Sequence, residues 1–395
     1  MLLHTILLLD FRLEFDMKHY DYIFTGSGLS ALMTIYEMIL SEKFKDKSIL
    51  LLDENLKKSN DRTWCFWDES DLFDEIISKK WRSTLFANEN FERNIDMKPY
   101  QYKMIRGLDF YNLVFDLIDK HDNIIFVNEK VLRFQDNDTE VLVETEKNNF
   151  ICDKLFNSIY NPEIAKSQTK FPILSQHFVG WFVKTKEPVF NPEVATFMDF
   201  SIEQNGNTRF MYVLPTSFNE ALLEPTLFSH HLLAIEDYEK DIKQYLKKLN
   251  VSEFVITEKE LGNIPMTCYP FWENNSKNIV NIGSAGGWTK ASTGFTFRHT
   301  IKKAKNLVVF LQSEKDLRKF YKKDKFWFYD LLFLDVLDKN NALGSKIFSS
   351  LFEKGNSTLI FKFLDEETTF AEDVKLMLKC PIIPFLTALL TRILK

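Results

Sequence analysis

Three groups of residues have types and spacings that could do chemistry. The first is Gly26-Ser27-Gly28-x-x-Ala31, set between an apolar run, Asp21 to Thr25 (DYIFT), and a helical pattern beginning at Leu29. A glycine at the first position permits a tight turn, one at the second lets a pyrophosphate approach the backbone, and a small residue at the third lets helix and strand pack closely. Free N–H groups and the dipole at the start of the helix favour that anion. Asp53 ends the next apolar run, Ser48 to Leu52, 25 residues past Gly28, where a carboxylate should hold a ribose hydroxyl. The glycines alone could serve an ordinary strand–turn–helix. With Asp53 at this distance, they read as a dinucleotide site.

The second group is Ile282-Gly283-Ser284-Ala285-Gly286-Gly287, which follows the apolar run Asn278 to Ile282 and precedes Ser292-Thr293-Gly294 and a helix. A nicotinamide-only enzyme has no need of such a late loop. In flavoproteins with a Rossmann-type fold it holds the ribityl chain and pyrophosphate, so the expected cofactor is FAD. A glycine-rich hairpin is the competing reading. The third group consists of polar residues inside apolar runs: Glu224 in LLEPT, Asp199 in FMDF, and Arg62 and Asp68 around TWCFW. A carboxyl flanked by Leu222, Leu223 and Leu227 can be desolvated, which raises its pKa and keeps it protonated, as a general acid requires. Strand alternation equally allows Glu224 to face water, and on residue type alone that is the commoner fate. Asp199 could bind or relay protons, or simply cap a strand end. Trp64, Phe66 and Trp67 could offer ring faces to a cation, although aromatic side chains more often pack in cores. His177 reads as a satisfied core histidine, and His230 and His231 lack a third ligand, so no metal is expected.

The elements that must position these groups follow from periodicity. DYIFT, the helix from Leu29 to Phe44 and SILLL form one βαβ unit. Phe110 to Lys120 reads as a helix and Asn123 to Asn128 as a strand, with further strands over Lys130 to Glu146 and Phe150 to Asn157. Alternating runs (GWFVKT, ATFMDFSI, TRFMYVLP, EALLEPTLFS) predict an antiparallel sheet between Phe178 and Leu261. Ile235 to Leu249 is a charged amphipathic helix, and beyond Thr300 the pattern is helical. The expected organisation is α/β: a Rossmann-type FAD-binding domain over 17–160 and 262–310, an inserted β-rich substrate domain over 161–261, and a helical C-terminal region over 311–395, with 1–16 a non-core extension.

The net charge of −6 over 395 residues gives no basic footprint for nucleic acid. Four dispersed cysteines suit a reducing cytoplasm rather than a disulfide framework. The 38 phenylalanines suggest large aromatic cores or a large apolar ligand. No run reaches the roughly 18 apolar residues that span a bilayer. The last run, Pro381 to Leu394, ends in cations and is long enough to lie in a membrane interface, or to be a packed core helix.

Five segments together resemble the lycopene cyclase family, in its bacterial β-cyclase branch: DYIFTGSGLSAL (21–32), DRTWCFWDES (61–70), QHFVGWFVKT (176–185), EALLEPTLFS (220–229) and GNIPMTCYPF with NIGSAGGWTKASTGFTF (262–297). The resemblance runs from about Met17 to the end. It implies a reaction without net redox change. A carboxylic acid protonates a terminal double bond of linear lycopene, an internal double bond closes the ring on the tertiary cation, and proton loss gives a β-ionone ring, first on a monocyclic intermediate. Reduced FAD would stabilise the cation or assist proton transfer, with NAD(P)H only keeping it reduced. Glu224 matches the acid of the family motif, which reverses the solvated reading. The family carries a second acid directly after; Pro225 stands there, which excludes a second carboxylate at that position. Lycopene is insoluble in water, so the resemblance also implies a cytoplasmic enzyme peripheral on the inner face of a bacterial membrane. Two rivals stay open: a flavin-dependent isoprenoid reductase or hydroxylase of the same fold, and a catalytically silent flavin or carotenoid carrier.

Overall fold

The computed structural model describes residues 17–394; the expected extension at 1–16 lies outside the described residues. Lys18–Thr25 runs parallel between Ile49–Leu52 and Asn149–Asn157. Ile124–Val127 adds a parallel strand beside Ile49–Leu52, and Ile279–Asn281 pairs in parallel with Asn149–Asn157. A hairpin of Val131–Asp136 and Val141–Thr145 completes this seven-stranded sheet in antiparallel sense. Every residue of Ile49–Leu52 is buried, as a parallel strand covered on both faces must be. The helix Leu29–Ser41 follows the first strand and packs on Phe297–Leu311. At the turn between strand and helix, Gly26 has φ 87°, and a Cβ there would stand 2.4 Å from Ser158 Oγ. Only glycine accepts both conditions.

The second sheet also has seven strands, in the spatial order Phe254–Met266, Leu174–Thr185, Glu220–Ser229, Thr208–Pro215, Val194–Asp199, Ser83–Ala87 and Glu92–Asp96. The four alternating runs in the sequence are four of these strands. Its last two strands come from within 17–160, the stretch assigned by sequence to the nucleotide domain. Ser83–Ala87 joins in parallel to Val194–Asp199, so the two sheets are not separated along the chain at residue 160. A third, three-stranded sheet pairs Thr63–Asp68 and Ile77–Trp81 with Gln101–Arg106; the sequence reading assigned no strand to the aromatic segment around Trp64.

Beyond Phe297 the described chain is helical, and these helices pack on the second sheet. Phe197, Phe210 and Phe228 of the sheet share one core with Phe348, Phe352 and Phe361 of the helices. One buried ionic cluster ties the late glycine loop to this layer. Lys290 Nζ donates to Asp330 at 3.0 and 3.2 Å and to Glu366 at 3.1 Å. Burial opposes the lysine's charge, but Asp330 and Glu366 more than offset it, and its pKa is raised. Removing one member of a buried ion pair strands the others. Lys290→Met should therefore lower unfolding stability by about 3–5 kcal/mol in denaturant titration. A loss within the range of an exposed ion pair, about 1 kcal/mol or less, would show that the cluster does not hold the loop.

Candidate active site

Strand alternation in Glu220–Ser229 decides what faces the site. Leu223 and Leu227 point toward the helix Ile235–Lys248 and share its core. Leu222 and Glu224 point the other way and line a cavity of about 370 Å³ between the sheets. The position held by Pro225 has the parity of the helix side, so no side chain there could reach this cavity. Its lining is mixed: Trp64, Tyr102, Phe178, Tyr212, Phe295 and Phe297 contribute aromatic rings, beside polar residues such as Thr63, Asn263 and Glu260.

Glu224 is 8% exposed and Glu260, from the strand Phe254–Met266, is 7% exposed. Between their strands runs Leu174–Thr185, in which Gly180 pairs with Glu260. A Cβ on Gly180 would lie 2.9 Å from Glu260 Cγ and 3.4 Å from Glu224 Oε2. The two carboxyl groups thus meet over the one residue that has no side chain, and they share a hydrogen bond. Thr226 Oγ1 donates to Glu224 at 3.0 Å, and Thr63 Oγ1 donates to Glu260 at 2.6 Å. Desolvation, then the charge of Glu260, pushes the pKa of Glu224 well above the usual carboxylate range. Glu260 is also raised, though less far: desolvation and the charge of Glu258 outweigh the hydrogen bonds from Thr63 and Glu224 and the charge of Arg106. The shared proton therefore resides on Glu224.

The same cavity is lined by Gly28, Ser30, Gly283, Ser284 and Gly294. A Cβ on Gly28 would meet no protein atom within 4 Å, so its face is open to the cavity. The helix Leu29–Ser41 starts there with no side-chain cap, leaving first-turn N–H groups for an anion. Gly283 has φ 59°, and a Cβ on it would collide with Ser30; the late loop packs directly against the first turn of that helix. Gln176 Oε1 and Thr300 Oγ1, both on residues lining the cavity, are buried without a hydrogen-bond partner. An open glycine face, an uncapped helix start and unpaired buried polar atoms are what a bound dinucleotide would complete. Asp53 sits at its strand end beside the turn, but its carboxylate accepts from Ser27 N–H at 2.6 Å and Ser27 Oγ at 2.8 Å. Ala31 is buried in helix–sheet packing, and Gly286 and Gly287 shape the late loop without lining the cavity.

Other expected residues lie elsewhere. Of the three aromatic residues, Trp64 lines the cavity; Phe66 stacks on Phe297, and Trp67 packs on Phe197, Phe295 and Phe361 in the core. Phe66 and Trp67 do not line this cavity. Asp199 is buried at its strand end, accepting from Tyr245 Oη at 2.8 Å and Ser201 N–H at 2.8 Å. Tyr245 belongs to the helix on the far face of the sheet, so Asp199 anchors that helix and is separated from Glu224's cavity. Asp68 pairs with Arg298, and Arg62 donates to the Leu261 carbonyl at 3.1 Å. His177 is a core histidine, bonded to Tyr238 Oη and Ser229 Oγ; burial lowers its pKa to about 4.

A family model, lycopene cyclase protein, matches residues 21–390. The chain belongs to the lycopene cyclase family. A comparison with curated protein sequences gives no match. Among solved structures it is similar to a geranylgeranyl bacteriochlorophyll reductase-like protein from Thermoplasma acidophilum, with TM-score 0.64, 10% identity, and coverage of 91% of this chain and 99% of the other. It is similar to a flavoprotein/dehydrogenase from Cytophaga hutchinsonii, with TM-score 0.62, 9% identity and coverage of 88% and 93%. A halogenase in complex with FAD aligns with TM-score 0.54, 14% identity and coverage of 87% and 78%. At these identities the likeness establishes a shared fold.

In this member of the family, sequence reasoning missed Glu260, Gly180, Tyr212, Gln176 and Thr300. Glu260 stands among Glu258 and Lys259, where it looks like one more solvated charge; only the strand pairing turns it inward. The open face of Gly28 generates a test. Gly28→Val would place a branched side chain where a pyrophosphate should approach. Flavin released on denaturing the purified protein should be present for the wild type and absent for the variant, with unchanged circular dichroism. Full flavin occupancy in the variant would contradict the assignment of this turn.

Proposed function

We propose that the protein is a lycopene β-cyclase that closes the ends of linear lycopene, through a monocyclic intermediate, to β-ionone rings. The observation that supports this most strongly is Glu224: a carboxyl group kept neutral by burial, aimed into a partly aromatic cavity that also reaches the two glycine turns. A buried acid can protonate an alkene where water cannot. Glu224 gives its proton to the terminal double bond, the internal double bond attacks the tertiary cation, and a ring carbon loses a proton. Atoms and electrons balance, and the substrate's mass is unchanged. Trp64, Tyr102 and Tyr212 present π-faces or edges around the reacting end, where cation–π attraction stabilises positive charge by about 0.5–2 kcal/mol per contact. Gly26, Gly28, Gly283 and Gly294, with the start of Leu29–Ser41, would hold FAD. Reduced FAD, kept reduced by NAD(P)H, would supply negative charge and no net electrons.

Lycopene must come from a membrane, and no helix among the described residues is long and apolar enough to cross one. The helix Ile382–Ile393 instead exposes one apolar stripe. Ile383 is 78% exposed, Leu386 51%, Leu390 57% and Ile393 69%, and within this helix only Ala388 is buried. Such a stripe suits an interfacial helix. Arg392 pins its end to Asp335 at 2.7 and 2.6 Å. A second, nearly all apolar cavity of about 320 Å³ is lined in part by this helix, through Phe385, Leu386 and Leu389. We infer that the stripe rests on the lipid surface and that the apolar substrate enters beside it.

Two measurements test this reading. In a lycopene-accumulating bacterial host, the wild type should yield cyclic carotenoid of unchanged mass. Glu224→Gln should lower that yield by at least about 10²-fold, the usual contribution of general acid catalysis, while flavin content is retained. Products with added hydrogen or oxygen would point to a reductase or hydroxylase, and no conversion by the flavin-loaded wild type to a carrier. Separately, replacing Ile383, Leu386 and Leu390 together by glutamate should move the folded protein from the membrane to the soluble fraction. A folded triple variant that still pellets with membranes would place the contact elsewhere.

A further inference from the structure

We propose that Glu260 is a positioning residue for the acid: across the gap left by Gly180 it holds the proton on Glu224 and then adds a second negative charge against the carbocation. The inference rests on the reading of Glu224 as the acid. It restores, from a strand on the other side of Gly180, the second carboxylate that Pro225 removes from the motif itself.

The geometry has four parts. Leu174–Thr185 is flanked by the strands bearing the two acids, so Glu224 and Glu260 are next-nearest strand neighbours rather than partners. Side chains in such places are normally kept apart by the intervening residue. Here that residue is Gly180, and a Cβ on it would also meet Leu222 Cδ1 at 2.8 Å, which leaves no room for a larger side chain. The ladder between Leu174–Thr185 and Glu220–Ser229 lapses from Phe178–Thr226 to Trp181–Leu223, the stretch that contains Gly180 and Pro225, and Pro225 has no N–H to give. Finally, each acid accepts from a threonine, Thr226 for Glu224 and Thr63 for Glu260, but only Glu260 has a cation, Arg106, bearing on it, and that cation is opposed by the charge of Glu258. Arg106 itself pairs with Glu258. Apart from Glu260, the titratable groups bearing on Glu224 are Cys65, Tyr102 and Tyr212, all held neutral by burial.

Two carboxyl groups in one site cannot easily ionise together, so the charge on one keeps the proton on the other. When Glu224 protonates the alkene, both groups are anionic and a cation stands beside them. That arrangement favours the charge-separated state over the neutral one. The proton later lost from the ring returns to the pair, so the site ends as it began.

The sign of the pH effect follows. Glu224 acts only while protonated, so activity falls as pH rises through its raised pKa. Glu260→Gln removes the neighbouring charge and offers an amide donor to the ionised form of Glu224, and both effects lower that pKa. The experiment is an infrared titration of the carboxylic acid C=O band in the flavin-loaded protein, run beside the pH profile of lycopene cyclisation in liposomes. The band should be present at neutral pH in the wild type and absent in Glu224→Gln. In Glu260→Gln it should disappear at a pH lower by about one unit or more, roughly a tenfold change in ionisation, with the alkaline limb of activity moving by the same amount. Glu260→Asp, which keeps the charge, should titrate near the wild type. Gly180→Ala, which wedges the pair apart without removing either acid, should shift in the direction of Glu260→Gln. An unshifted band in both Glu260→Gln and Gly180→Ala would overturn the proposal. If the band shifts as expected but Glu224→Gln still cyclises lycopene, the pairing stands and the reading of Glu224 as the acid falls.

Discussion

Transfer of an ionised carboxyl group into an apolar interior costs many kcal/mol, and a protein avoids that cost by neutralising or pairing the group. In this fold two carboxyl groups are buried side by side, and most of what surrounds them serves that placement. The strand register puts Glu224 on the inner face, the missing side chain of Gly180 lets Glu260 reach it, and Thr63 and Arg106 favour one charge rather than two. Burial of Glu224 is the cause of the largest effect on its proton, desolvation.

The rest of the molecule can be understood as holding that chamber against a nucleotide-type site. The start of the helix Leu29–Ser41 and the two acids line the same cavity. The late glycine loop links them, and it is fixed in turn by Lys290 to Asp330 and Glu366 of the C-terminal layer. Packing of that layer on the second sheet through phenylalanine explains much of the unusual aromatic content. The C-terminal helix contributes little to the core and much to the exposed apolar surface.

The parts of this arrangement that obey local rules were legible in the sequence. The βαβ unit, the two glycine turns and the strand carrying Glu224 follow from short-range pattern, and they lie where the pattern puts them. Long-range pairing was not legible. Ser83–Ala87 and Glu92–Asp96 join the second sheet across more than a hundred residues, because a parallel neighbour, Val194–Asp199, was available. The same blindness applied to the acids. Asp199 and Glu224 looked alike, each a carboxylate in an apolar run, and only the face of the sheet distinguishes the helix anchor from the cavity acid. Glu260 looked like part of a solvated charged strand, and Phe66 and Trp67 looked as available as Trp64. In each case the local residue type was ambiguous and the neighbouring strand decided the outcome.

The central claim is that a buried, exchangeable proton on Glu224 is transferred to the substrate without redox chemistry. The most direct measurement is mass spectrometry of the carotenoid formed by flavin-loaded protein equilibrated in deuterium oxide, with unlabelled NAD(P)H. The account predicts a single deuterium retained for each ring closed, and no other change in mass. A cyclic product free of deuterium, or a product carrying hydrogen delivered from the nicotinamide, would contradict it.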